Sequence, residues 1–442
     1  MHEEKKSPSP WLYVITLYLP FGILNGFMQQ FPQNLLKLLG VSNQLIGMLS
    51  GVGLVASLRF LYAPWLDGAT TKRRLSLFTL CTAGLLMFSL AGLIYAQVPQ
   101  HILFIGLVIV LFIMALTSAS HETAADGYYI RALNPTLQAQ FIGIKTFASR
   151  LGNLSAVMGL LWGATKIASR YGAVNTESSD KTGFYIGFAL AYAAAGTLLL
   201  IFTLWNKFMI PVIEEDQPVK HNRFALKEVI KEYFLQKRVI LIVLIILMYR
   251  FGQGFLLMRN PFLLDSIADG GMETSATAMP IYTILTDIPW SIAGGVLGGY
   301  LIKWLGLRRT FIPLTLFMSL PNLFYAWLAW ARPEQTISIF GENLCTAMLA
   351  GSSFESLGYG LSFSAIFYYM HISATLSGRN KTSILAISMC IMNIGFSIPM
   401  MISGFVQATI GYVGTFLISS LVGLLAIIII PFLPIPDVKK AT

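Results

Sequence analysis

The sequence predicts an all-α integral membrane protein of twelve transmembrane helices in two pseudo-symmetric six-helix halves. Three observations carry this expectation. Hydrophobic residues make up 55% of the 442 residues and charged residues only 11%, against about 25% charged in a soluble chain. Apolar runs of the length that crosses a bilayer, about 20 residues of helix, recur from end to end. Landmarks of the first half return in the second at a nearly constant offset. A soluble core could not hide that much apolar surface.

The expected spans are 11–36, 43–66, 75–96, 101–130, 138–165, 182–205, 238–263, 275–302, 310–330, 341–371, 381–408 and 412–433. The first run, from Trp11, has no small-residue cleavage site behind it and is followed by more spans, so it reads as a retained helix. The longest polar stretch, 206–237, divides an N-terminal half, 1–205, from a C-terminal half, 238–442. From Phe224 that stretch reads as a short amphipathic helix suited to a membrane surface.

Charge placement gives the orientation. Of the 30 Lys and Arg residues, twenty lie at the termini, in the central loop and in alternate turns, and only four (Lys166, Arg170, Lys181, Arg332) in the opposite loops. Basic loops stay on the cytoplasmic side. Both termini and the central loop are therefore expected in the cytoplasm of a multi-pass cell-membrane protein, a bacterial inner membrane being the natural setting. The net charge of +10 is then a topology signal, which argues against a nucleic-acid partner. Cys81, Cys345 and Cys390 sit in apolar runs without paired spacing, so neither a disulfide framework nor a zinc site is implied.

The internal repeat is threefold. FGILNGFMQQFPQNLL from Phe21, carrying Asn25, echoes FGQGFLLMRNPFLLD from Phe251. The basic turn ending at Arg74 returns as the one ending at Arg309, and Glu122 returns as Glu355, each at nearly the same offset. Parallel half-repeats of this kind build the major facilitator fold, whose substrate site lies between the halves at mid-membrane.

Several motifs point to transport chemistry. RFLYAPWLDGATTKRR (59–74) and GGVLGGYLIKWLGLRR (294–309) are paired turns of glycines and basic residues. Asp67 can cap a helix or pair with Arg73 and Arg74, while Arg308 and Arg309 have no acid in the matching place; such turns suit gating, the plain alternative being ordinary basic turns. SASHETAADGYYIRAL (118–133) places Glu122 and Asp126 at i and i+4 on one helix face. Its His121 begins a metalloprotease-like HE pair, but Ala125 stands where a second His would be required, so no metal is expected. His121 reads as a hydrogen-bonded helix residue or a member of a proton path.

Charge within a span is costly and functional by default. Glu355 lies among glycines, serines and aromatics, and Asp287 precedes Pro289 in a span that a proline can open. Arg150, Arg250 and Arg259 would together cost on the order of 8–10 kcal/mol if turned to lipid, so they must face a wet cavity or pair with acids. An anionic solute is one partner for them, and Asp126 or Glu122 beside Arg150 is the other. Tyr128 is a candidate lining residue, and Tyr129 is read as a member of an interfacial aromatic belt.

These same stretches resemble the AmpG-type muropeptide permeases, in the peptide–acetyl-coenzyme A transporter branch of the major facilitator superfamily. The resemblance runs through GVSNQLIGMLSGVGLVASLRFLYAPWLDG, SHETAADGYY, SRLGNLSAVMGLLW with Arg150, YRFGQGFLLMRNPFLLD with Arg250, Pro261 and Asp265, and FESLGYGLSFSA with Glu355. Gln253 stands where the family has Asp, and Gly127 where it has Ala. Twelve spans are expected, without the additional C-terminal spans of some muropeptide permeases, in the shorter format of related siderophore permeases of the pyochelin and rhizobactin type.

The resemblance implies a proton-coupled importer of a small anionic or peptide-like solute, of muropeptide or siderophore class, working by alternating access. The proton-coupling candidates are Glu122, Asp126, Glu355 and Asp287. The substrate-binding candidates are Arg150, Arg250, Arg259, Gln253, Asn25 and Tyr128. The expected partners are the solute, protons and lipid, the expected form is a monomer without cofactor, and no enzymatic activity is expected. The alternatives are a non-transporting receptor or sensor on the same fold and, further off, a membrane-embedded enzyme.

Overall fold

The computed structural model describes residues 9–59, 61–62, 70–213, 216, 223–376 and 381–435. They are overwhelmingly helical. Among the described residues, seven helices are long and apolar enough to cross a membrane: Trp11–Leu38, Lys72–Tyr95, Gln100–Ala132, Thr182–Met209, Val239–Leu264, Leu307–Ala331 and Ser383–Phe432. The other expected spans are present as shorter or interrupted helices. Asn43–Ser57 is a shorter apolar helix. The helix over 135–170 passes through a π-helical segment, Ala156–Leu161. That over 278–305 passes through another, Thr283–Asp287. The final long helix holds two spans, separated where Gly411 adopts φ 70°, a left-handed geometry that a side chain would strain.

The chain packs as two compact units. One comprises Met1–Leu35, Leu61–Ala173 and Ser179–His221; the other comprises Leu36–Phe60, Val174–Ser178 and Asn222–Thr442. The start of the second span therefore packs with the later part of the chain.

The first unit is built on α1 (Trp11–Gln29), α2 (Lys72–Tyr95), α3 (Gln100–Ala132), α4 (Pro135–Ser155) and α5 (Thr182–Met209). Helix α4 starts where a helix should: Asn134 accepts from the Leu137 amide at 2.9 Å and Pro135 occupies the first turn. Helices α1 and α4 touch backbone to backbone, since a Cβ at Gly22 would meet the Ser149 carbonyl and one at Gly152 the Leu19 carbonyl. That contact fixes side chains of α4 beside those of α1. The core around it is aromatic, with Tyr13, Tyr18, Tyr128, Tyr129 and Phe141 all buried. Tyr129, expected at a lipid interface, is thus an interior residue.

In the second unit, α6 (Arg223–Phe234) is the expected amphipathic helix. It buries Val229 and Tyr233 against Ile384 and Ile387, so part of its apolar face is taken by protein. The seventh span is broken into α7 (Val239–Tyr249), α8 (Phe251–Phe255), a 3₁₀ turn Leu256–Met258 and α9 (Arg259–Leu264). Arg250 is the joint, at φ −102° and ψ 6°. Next come α10 (Ile288–Leu305), α11 (Leu307–Ser319) and α12 (Pro321–Ala331).

A hairpin follows, β1 (Thr336–Ile339) with β2 (Glu342–Cys345), before α13 (Thr346–Leu376) and α14 (Lys381–Ile429). The hairpin corrects the expected tenth span at 341–371. Its first residues form a strand because Phe340 and Gly341 both take positive φ, the geometry of a two-residue hairpin turn.

Candidate functional site

Each unit holds a polar cluster inside its helices. In the first unit, Asp126 on α3 receives the Lys145 ammonium at 2.5 Å and the Tyr18 hydroxyl at 2.7 Å. Lys145 also lies 4.7 Å from the Tyr18 ring centroid. The cation expected beside Asp126 was Arg150. The structure puts Lys145 there and leaves Arg150 exposed. Five residues along a helix turn a side chain by about 140°, so α4 cannot present both to the same acid. The pair is partly open, with side-chain exposures of 29% for Lys145 and 37% for Asp126. Glu122, one turn earlier, is half-buried, and so is Asn25 on α1.

His121 is fully buried, and both ring nitrogens are engaged. Nε2 lies 2.9 Å from the Leu17 carbonyl, which only an N–H there can satisfy, and Nδ1 lies 3.2 Å from the Thr79 hydroxyl. This arrangement ties α3 to α1 and α2. Tyr128 donates to the Pro211 carbonyl at 2.8 Å, so its hydroxyl is committed to backbone.

The basic turn ahead of α2 is held by an acid that the sequence reading did not single out. Asp216 accepts from the backbone amides of Lys72 at 2.7 Å and Arg73 at 2.8 Å, and from the Arg131 guanidinium at 3.1 Å. A carboxylate at a helix N-terminus answers the unpaired amides and the helix dipole together. Arg73 completes the staple, donating to the Ile210 and Lys207 carbonyls at 2.8 and 2.6 Å. Thr71 caps α2, its hydroxyl accepting from the Arg74 amide at 3.3 Å. Asp67 lies outside the described residues. Arg308 and Arg309 are exposed at the start of α11.

The second unit gathers more of the expected residues. Arg259 and Asp287 form a two-pronged ion pair, 2.9 and 2.7 Å, at side-chain exposures of 12% and 28%. Asp287 also accepts from Thr286 at 2.9 Å and closes the π-helical segment. Such segments loosen the regular ladder and recur at functional sites. Glu355, on α13, is buried; its hydrogen-bonding neighbours are Gln253 and Ser356, both at 3.4 Å. Gln253 also donates to the Met318 carbonyl at 3.2 Å. No Lys or Arg lies within ion-pair distance of Glu355 among the described residues.

Arg250 differs from all of these. Its guanidinium carbon sits 3.9 Å from the Phe396 ring centroid, 5.7 Å from Tyr359 and 5.9 Å from Phe363. Its Nε is buried without a hydrogen-bond acceptor. The helix break at Arg250 allows this approach, since α8 lies so close to α14 that a Cβ at Gly254 would meet the Phe396 carbonyl.

A third cluster in this unit was missed as a cluster. Lys37 pairs with Asp265, which also receives the Tyr412 hydroxyl; Asn43 bonds Lys37 at 2.8 Å and Tyr412 at 2.9 Å. Lys37 stood out in the sequence only as a basic residue near a span. Its partner lies far away along the chain, beyond the reach of local pattern.

Among known proteins, no family model matches the chain. It is similar to a putative AmpG 1 transporter of Rickettsia bellii, 23% identical over 424 residues, covering 93% of this chain and 95% of that one. It is similar to the anhydromuropeptide permease of Escherichia coli K12, 24% identical over 376 residues, 82% of this chain and 69% of the relative. Among solved structures, a D-xylose–proton symporter superposes with TM-score 0.68 at 14% identity, covering 95% of this chain and 96% of that one. A bacterial homologue of the human lysosomal transporter Spinster gives TM-score 0.67 at 14% identity, covering 96% and 97%. The expected resemblance to AmpG-type permeases holds over most of the chain, and the fold is that of the major facilitator transporters.

Proposed function

We propose that this chain is a secondary active transporter that imports a small anionic or peptide-like solute, of muropeptide or siderophore class, by alternating access driven by protons. The supporting observation is the polar interior of the second unit. A discontinuous helix brings a paired Arg259–Asp287, a buried Glu355 outside ion-pair distance of any Lys or Arg among the described residues, and an Arg250 with no acid beside it among those residues into one membrane-embedded region. Interrupted helices with unspent charge are how transporters build ion and solute sites. The similarity to AmpG-type permeases supports the same reading.

In this reading Glu355 is the leading proton carrier. A carboxyl held by a cation must break that ion pair to take a proton, which is the position of Asp126 with Lys145 and of Asp287 with Arg259. Glu355 is bonded by only an amide and a hydroxyl among the described residues. Arg250 and Gln253 are the leading solute contacts. Among the four proton-coupling candidates, this reading places Glu355 ahead of Glu122, Asp126 and Asp287. A sensor role would require the same solute site without flux.

Uptake into proteoliposomes decides between these readings. Purified protein is supplied with labelled muropeptide, siderophore, short peptide and coenzyme-A thioester under an imposed pH gradient. The expected result is accumulation of one class, collapsing with a protonophore. Absence of uptake of every class, with the protein folded and inserted, would contradict the transporter reading.

A further inference from the structure

Arg250 heads a row of rings. On α13, Tyr359, Phe363, Phe367 and His371 recur every four residues, which places them on one helix face. Tyr359 stacks on Phe363 with centroids 5.6 Å apart, Phe363 on Phe367 at 5.8 Å, and His371 meets Phe367 edge-on at 4.7 Å. The row covers about 18 Å of helix at 1.5 Å per residue, over half the depth of a bilayer core. Its three carbocyclic members are half-buried and His371 is exposed, so the rings are not wholly consumed by packing.

Arg250 stands against the Tyr359–Phe363 end of this row, with Phe396 of α14 on its other side. A guanidinium stacked on rings keeps its in-plane N–H groups free for a ligand. Here Nε is enclosed and has no acceptor. The two terminal nitrogens meet no competing carboxylate among the described residues, and their end-on fork matches the two oxygens of a carboxylate. A cation without a partner in this setting calls for an anion, and the rings beside it favour a flat face.

We propose that Arg250, Tyr359 and Phe363 form a subsite for a carboxylate carried next to a ring, with the carboxylate on the terminal nitrogens of Arg250 and the ring face on Tyr359 and Phe363. This inference deepens the transporter reading and rests on it for its biological meaning. The ring could be that of a sugar acid or that of an aryl acid; both present a carboxylate beside a face that can lie on an aromatic side chain.

Ligand-detected magnetic resonance on the full chain in nanodiscs tests the site without any transport step. The probes are N-acetylmuramic acid with its amide, and salicylate with salicylamide. The expected result is that at least one acid binds about tenfold or more tightly than its own amide, the usual scale of a charged hydrogen bond. The pair that shows this preference identifies the ring as sugar or aryl. Arg250→Gln should abolish the preference and Arg250→Lys should keep part of it. Phe363→Leu, which leaves the cation in place, should weaken the ring-bearing acid severalfold. Equal binding of acid and amide in both pairs, no binding of either acid, or an undiminished preference in Arg250→Gln would overturn the proposal. A chain that keeps the Arg250-dependent preference but moves no solute in liposomes retains the site and loses the transporter reading; the opposite pattern loses the site alone.

Discussion

The two units use charge inside the membrane differently. In the first, Asp126 is paired with Lys145 and bonded by Tyr18 though partly open, His121 spends both ring nitrogens on its neighbours, and Asp216 locks the basic turn ahead of α2. In the second, Arg259–Asp287 and Lys37–Asp265 are satisfied pairs, but Glu355 accepts only from Gln253 and Ser356, and Arg250 pairs with no carboxylate among the described residues. The two halves echo each other in sequence, yet the echo preserves positions and not surroundings. Glu122 and Glu355 are matched by their offset, but Glu355 is buried where Glu122 is half-open.

Substitutions that strand a charge sharpen this contrast. The largest effect on stability is expected for Asp287→Asn, which leaves Arg259 buried without its partner and should cost about 3 kcal/mol or more. The neutral double variant Arg259→Gln with Asp287→Asn should recover most of that loss in thermal unfolding of the detergent-solubilised protein. If single and double variants unfold alike, the pair is not coupled.

Asp126→Asn should cost less, because Lys145 is more open and keeps its contact with the Tyr18 ring. The melting temperature should fall measurably, but by less than in Asp287→Asn. Arg150→Gln, by contrast, should leave the melting temperature of the protein unchanged, and a shift as large as that of Asp126→Asn would reinstate Arg150 as the partner of the acid. Arg250→Gln should have the smallest effect among the interior cations, about 1 kcal/mol or less, since no acid is stranded by its removal. Its cost is expected in uptake instead, and a variant that melts early while binding normally would break the contrast between the two units.

Much of the fold was legible in the sequence because lipid imposes a simple length rule. Most of the expected spans coincide with helices; the tenth was misplaced at its start because TISIFGENLC reads as apolar before its turn is recognised. The Phe340–Gly341 turn was the available signal. The site was less legible. Residue type identified Glu355, Asp287, Arg250 and Arg259, since charge in an apolar run stands out. Pairing did not follow from sequence, because it depends on which helix faces meet: Lys145 took the place expected for Arg150, and Lys37 found Asp265 across a long sequence separation. Asp216 was hidden in an acidic loop where any one carboxylate could have been the cap.

The central claim is that Glu355, and not Asp126, carries the coupled proton. It is tested most directly by comparing pH-gradient-driven accumulation with solute exchange at equal pH in the same proteoliposomes, using whichever solute class the uptake screen identifies. Glu355→Gln should abolish accumulation and retain exchange, while the charge-neutral double variant Asp126→Asn with Lys145→Gln should retain both. Full accumulation by Glu355→Gln, or its loss only in the Asp126–Lys145 variant, would contradict the account and return the proton to the first unit.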